Sequence, residues 1–138
     1  MRTSANNYGI IFCTSLTASG VVSAQSFNTT SDQTVKENLT SIDNQEILER
    51  VASLPISRWN FKTDEKTRHI GPMAQDFYAA FNVGMDDKHI SLVDEEGVAL
   101  AAIQGLNRKL NEKDAEIQDL KQSIAELKQM VQTLAEKK

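Results

Sequence analysis

The last third of the chain carries apolar residues at two fixed positions of every seven. Nine of the ten positions in this repeat are apolar, and the tenth is Lys113. A narrow apolar stripe with this period is typical of helices that pack against sister helices. We therefore predict a helix over residues 98–138, with a stripe about 50 Å long at about 1.5 Å per residue. The nine apolar positions, here called the seam, are Ile103, Leu106, Leu110, Ile117, Leu120, Ile124, Leu127, Val131 and Leu134.

The seam predicts an oligomer but leaves the number of chains open. Ile or Val at one repeat position with Leu at the other favours two strands in simple coiled coils. A single helix lying on a globular core is the alternative, but its apolar face is normally wider than two positions in seven. We therefore expect a parallel coiled coil between copies of the chain, interrupted by the polar Lys113.

Between Ser41 and Val93 the pattern alternates between helix and strand. Asp43 is placed to cap a helix, with Glu46 three residues later as in a capping box. The segments ISRWNFK and RHIG predict two short strands joined by the charged turn TDEKT, and GPMAQDFYAAF predicts a second helix that begins at Pro72. The fold class is thus α+β: a small helix/strand globular domain followed by a long C-terminal helix. The apolar face of the first helix comprises Ile47, Leu48, Val51 and Leu54.

The first 30 residues are rich in Ser, Thr, Asn, Ala and Gly, with Arg2 as the one charged residue. A weak secretory signal peptide would be cleaved after Ala24. We favour short β-segments, GIIF and GVVSAQSF, at the end of a β-rich stalk, because both apolar runs are short and follow glycine. The chain then divides into a stalk remnant (1–30), a globular domain (31–97) and a helix (98–138). No segment reaches the roughly 18 apolar residues of a membrane span.

Charge and composition exclude several function classes. The net charge is −4, the pI is about 5.2, and Lys and Arg are interspersed with Asp and Glu, which argues against a nucleic-acid partner. The single cysteine, Cys13, excludes an internal disulfide and a multi-cysteine metal site. The two histidines, His69 and His89, have no metal-ligand spacing, so we predict no metal and no cofactor.

The polar stretch TTSDQTVKEN places Ser31 five positions before Lys36. The two residues can be a helix cap and a surface charge, or a nucleophile and its base. Five residues of a regular helix would separate their side chains by about 140°, so a catalytic pair requires Ser31 on non-helical chain. An ammonium cannot accept a proton, and burial against apolar surface is what favours neutral lysine. The local sequence permits both interpretations.

Several segments, taken in order, resemble the C-terminal intramolecular chaperone domain of phage endosialidase tailspikes and tail fibres, peptidase family S74. They are SDQTVKENLTSI, LPISRWNFK, RHIGPMAQDFYAAF and SLVDEEGVALAAIQGLNRKL, followed by the heptad helix. The most specific pieces are Ser-Asp with Lys36 at the fifth position after the serine, and the Ile-Gly-x-x-Ala-Gln-Asp block from Ile70 to Asp76. The resemblance covers Ser31 to Leu110 and continues into the coiled coil.

The resemblance implies a function and a set of roles. Domains of that family form trimers, assist folding of the β-rich region ahead of them, and then cut themselves off immediately before the serine. Ser31 would be the nucleophile of a single-turnover autoproteolytic serine endopeptidase, Lys36 its general base, and Thr30–Ser31 the scissile bond. The partners would be two further copies of the chain and the N-terminal client segment.

The resemblance also places the protein on a phage tail fibre or at a bacterial surface, and it favours three strands over two in the coiled coil. The family commonly has Arg-Leu before the lysine, where this chain has Thr34 and Val35. A trimerisation or interaction module of a fibre or surface protein that keeps the fold without cutting is the alternative function.

Overall fold

A computed structural model describes residues 15–18 and 20–136, and its small helix/strand region followed by one long helix confirms the predicted α+β class. A short 3-10 turn precedes the first α-helix, and the two strands form one antiparallel sheet. The elements are the 3-10 turn Gln33–Val35, α1 Asn44–Ser53, β1 Ser57–Trp59, β2 His69–Gly71, α2 Ala74–Phe81 and α3 Leu92–Glu136.

Helix α1 begins where the sequence predicts, because Asp43 caps it. The Asp43 carboxylate accepts hydrogen bonds from the backbone N–H of Gln45 at 2.8 Å and of Glu46 at 3.4 Å. These bonds satisfy amides that have no partner within the helix. The Glu46 side chain pairs with Arg50 one turn later, which differs from the reciprocal bond of a complete capping box. The helix ends at Leu54, its C-cap, directly before a proline.

Strands β1 and β2 pair through the register Ser57↔Gly71, Arg58↔Ile70 and Trp59↔His69, which confirms the predicted hairpin. Trp59 and His69 stack with ring centroids 4.7 Å apart. Phe61 meets both rings edge-on, at 5.0 Å from Trp59 and 5.5 Å from His69. We call Trp59, Phe61 and His69 the aromatic cluster; it forms one face of the hairpin.

Helix α2 begins at Ala74, two residues after the predicted start at Pro72. Met73, the N-cap, has extended backbone angles, φ −80° and ψ 146°, so Pro72 lies just outside the helix. The helix ends at Asn82, which adopts the left-handed conformation common at helix C-termini. Phe77 is buried on α2, with its ring centroid 4.9 Å from that of Phe81.

Helix α3 begins at Leu92, so the predicted domain boundary between residues 97 and 98 falls inside it. Its first turns pack against α1, and the side of α3 that is buried there carries only small residues, Ala101, Ala102 and Gly105. A hydrogen bond of 2.8 Å from Asn44 Nδ2 to Gln104 Oε1 links the same two helices. No described helix is both long enough and apolar enough to cross a membrane.

Gly105 sets the distance between α1 and α3. A Cβ atom added there would lie 2.9 Å from the Asn44 carbonyl carbon, closer still to its oxygen, and 3.2 Å from Leu48 Cβ. Gly105→Ala is therefore expected to lower the free energy of unfolding by about 1–3 kcal/mol through overpacking, offset in part by about 1 kcal/mol of helix propensity. Thermal unfolding at fixed protein concentration measures the loss.

Gly97→Ala is the matched control, since its added Cβ would meet no described atom within 4 Å on the same helix. That variant keeps only the propensity term and is expected to gain up to about 1 kcal/mol. Equal stability of the two variants would contradict the close approach of the helices.

Residues 20–30, which include the predicted β-segment GVVSAQSF, carry no strand in the single chain. The physical reason is that a strand satisfies its backbone groups through a neighbouring strand, and the single chain provides none beside this segment. Val21 and Phe27 are exposed there. The other predicted segment, GIIF, lies outside the described residues.

Candidate active site

A compact turn follows Ser31. Asp32 caps the 3-10 turn, and its Oδ1 atom accepts hydrogen bonds of 2.8 Å from both the N–H and the hydroxyl of Thr34. These two bonds hold the pKa of Asp32 below its usual value, and the bond from the Thr34 N–H has the larger effect. Backbone bonds from Val35 N to Asp32 O at 3.3 Å and from Lys36 N to Gln33 O at 3.2 Å close the turn.

The turn places the Lys36 side chain against Ser31. Lys36 Nζ donates a hydrogen bond to Ser31 Oγ at 2.6 Å. A 3-10 turn has about three residues per turn, and the residues on both sides of it, Asp32 and Lys36, have extended backbone angles. The separation of about 140° that a regular helix would impose therefore does not apply. Ser31 itself precedes the turn, as a catalytic pair would require.

The two side chains have the residue types and the distance for a nucleophile and its base. A neutral lysine amine at this distance could accept the hydroxyl proton, and the peptide bond between Thr30 and Ser31 lies beside that hydroxyl. Both side chains are exposed to solvent in the single chain. Because solvent favours the charged ammonium, proton acceptance would require a further surface that covers Lys36.

Sequence reasoning did not identify the part played by Thr34. The Thr34 hydroxyl and N–H both bind the Asp32 carboxylate and so shape the turn between Ser31 and Lys36. The signal was present in the Asp-x-Thr spacing, since an aspartate commonly bonds backbone and side-chain donors two residues later.

The two histidines lie in different surroundings. His69 belongs to the aromatic cluster, whereas His89 Nδ1 lies 2.9 Å from Asp86 Oδ1 in an exposed turn. Hydrogen bonds from the Lys88 N–H and from His89 hold the pKa of Asp86 below its usual value. In residues 15–18 and 20–136, no group of three His, Cys, Asp or Glu residues is arranged to hold a metal ion.

The nine seam side chains lie on α3 and are between 46% and 68% exposed in the single chain. At the tenth position, Lys113 Nζ pairs with Glu116 Oε2 of its own helix at 2.7 Å. The hydrogen bond that Lys113 donates to the Glu116 carboxylate raises the pKa of Lys113. A stripe of exposed Ile, Leu and Val along one helix face is an apolar surface that a sister helix would cover.

Comparison with protein families gives a match to part of the chain. Residues 31–85 match a family model described as the chaperone of endosialidase, Peptidase_S74. The match starts at Ser31 and takes in the 3-10 turn, α1, the hairpin and α2. No curated protein shows a significant match to the chain.

Proposed function

We propose that the chain is a self-cleaving intramolecular chaperone, because residues 31–85 match the family model of endosialidase chaperones. It forms a homotrimer, assists folding of the β-rich segment that precedes Ser31, and then releases itself by cutting the Thr30–Ser31 bond. The observation that carries this proposal is the 2.6 Å hydrogen bond between Lys36 Nζ and Ser31 Oγ, at the first residue of the family match.

The proposed reaction uses Ser31 as nucleophile and Lys36 as base. The Ser31 hydroxyl attacks the carbonyl carbon of Thr30 while its proton passes to the neutral Lys36 amine. The C–N bond between Thr30 and Ser31 then breaks, and the Lys36 ammonium returns the proton to the departing Ser31 nitrogen. Water hydrolyses the resulting ester, which leaves a carboxylate on Thr30 and a free amine and hydroxyl on Ser31. Each chain cuts once.

In this proposal, assembly supplies the surface that covers Lys36, which the single chain lacks. Lys36 is exposed when the chain is alone, and solvent favours its charged form, which cannot accept a proton. If neighbouring subunits cover Lys36 when the seam closes, its neutral form is favoured only in the finished trimer. Cleavage would then report completed assembly, because Lys36 would become able to accept a proton only after the three subunits have packed together.

Release has a consequence for the client. A folded client whose folding template has departed must cross the unassisted barrier in order to unfold and refold. Cleavage after assembly would therefore convert a template-dependent fold into a kinetically stable one. The family association with fibres supports a client in a phage tail fibre or a bacterial surface protein.

Intact-mass measurement of the purified protein tests the proposal. A species that begins at Ser31 is the expected result, because hydrolysis leaves that residue as the new N-terminus. A persistent full-length chain within a stable oligomer would instead support the second candidate function, a trimerisation module that does not cut. The exposure of Lys36 in the single chain is the observation that favours this second candidate. A chain that begins at Gln25 would indicate signal-peptide processing.

A further inference from the structure

A cleft of about 580 Å³ lies between the hairpin and the chain that precedes Ser31. Phe61 and His69 of the aromatic cluster line one wall, and Ala18, Gly20 and Val21 line the other. The remaining lining residues, Thr63, Asp64 and Thr67, belong to the loop of the hairpin. The cleft therefore joins the matched domain to a segment on the far side of the proposed scissile bond.

Apolar side chains are exposed on both sides of this cleft. Phe61 is 57% exposed on the hairpin side, and Val21 is 95% exposed on the segment side. Val22 and Phe27, farther along the segment, are exposed as well. Closing the cleft over these side chains would remove apolar surface from water, at about 25 cal/mol per Å².

The hairpin loop that lines the cleft is held by its own hydrogen bonds. Asp64 Oδ1 accepts hydrogen bonds from the N–H of Lys66 at 3.1 Å and of Thr67 at 3.2 Å, which hold the loop. Hydrogen bonds from the hydroxyl and N–H of Thr67, and from the N–H of Lys66, hold the pKa of Asp64 below its usual value. A surface that is ordered before binding loses little conformational entropy when it binds.

We propose that Phe61 and His69 of the aromatic cluster form a binding surface for residues 20–30 of the same chain, whose exposed apolar side chains, Val21 among them, are covered when the cleft closes. The identification of that segment as the client's end rests on the proposed function; the contact itself does not. While the Thr30–Ser31 bond is intact, the segment is tethered about ten residues from the cleft, and the tether keeps its effective concentration high. After cleavage the same contact becomes intermolecular, so the released segment binds the domain more weakly than the tethered one.

Photo-cross-linking in the uncut Ser31→Ala chain tests the contact. With p-benzoylphenylalanine in place of Phe61, irradiation is expected to join position 61 to residues 15–30, identified by mass spectrometry of the cross-linked peptides. The same photoreactive residue in place of Met85, which is exposed and does not line the cleft, is the control and should not reach that segment. Cross-links from position 61 only to other parts of the chain would overturn the proposal.

Two additions sharpen the test. Val21→Asp is expected to lower the cross-link yield by about fivefold, because it replaces an apolar residue of the cleft lining with a charged one, whereas Gln25→Asp in the same segment should not. Mixing isotope-labelled and unlabelled chains shows whether the segment comes from the same chain, as proposed; cross-links between differently labelled chains would contradict it. Since Ser31→Ala carries no nucleophile, these results do not depend on whether the wild-type chain cleaves itself.

Discussion

Replacing Ser31 with alanine, or Lys36 with alanine in a second variant, is expected to leave an uncut precursor that still assembles. The first change removes the proposed nucleophile, and the second removes the amine that would take its proton at 2.6 Å. Loss of a general base typically slows such a reaction by about 10²–10⁴-fold, and loss of the nucleophile slows it further. A denaturing gel and intact-mass measurement follow the cleavage, and sedimentation follows the assembly.

Three further variants separate the proposed chemistry from charge and folding. Lys36→Arg keeps the positive charge but cannot give up its proton, so it is expected to remain uncut. Ser41→Ala and Lys62→Ala change the same residue types outside the turn, and both should cleave normally. Normal cleavage in either Ser31→Ala or Lys36→Ala would refute the dyad, and loss of cleavage together with loss of assembly would point to a folding defect instead.

Replacing Ile117 with lysine is expected to dissociate the proposed trimer into monomers at micromolar concentration. Ile117 is a seam residue that is 46% exposed in the single chain. Burying an isoleucine side chain is worth about 1.5–3 kcal/mol, and each copy in the assembly would lose that contribution. The variant would also place several ammonium groups close together in the seam, next to the lysines already present at position 113. Sedimentation velocity measures the result.

Gln118→Lys is the matched control, because it adds the same charge to the same helix one position outside the seam. This variant is expected to keep the parent oligomer. If Lys36 becomes competent only in the assembly, Ile117→Lys should also slow cleavage at Thr30–Ser31, whereas Gln118→Lys should not. If the Ile117→Lys variant sediments as an oligomer of the same size as the unmodified protein, the seam does not hold the copies together.

Local patterns were sufficient to predict the elements of the domain. The Asp43 cap, the hairpin and the helix around Phe77 are each determined by residues within about fifteen positions of one another. The long helix follows from its heptad repeat in the same way. Helix starts were less accurate, because the start of α2 depends on the backbone angles of Met73 rather than on the presence of a proline.

Contacts between distant residues could not be read from these patterns. Gly105 was not singled out, because its role depends on Asn44, which lies 61 positions earlier in the chain. Likewise, the segment GVVSAQSF has a strand-like composition, but a strand exists only where a partner strand is available.

The order of residue types along the chain was enough to specify an α+β domain, an apolar seam on one long helix, and a serine and a lysine five positions apart, since each depends on short-range spacing. It left open whether that serine and lysine meet. The folded chain decided the point, because a 3-10 turn held by Asp32 and Thr34 brings Lys36 Nζ to Ser31 Oγ. The close approach of α1 to α3 at Gly105, and the cleft between the hairpin and Ala18, Gly20 and Val21, were likewise decided by packing in three dimensions.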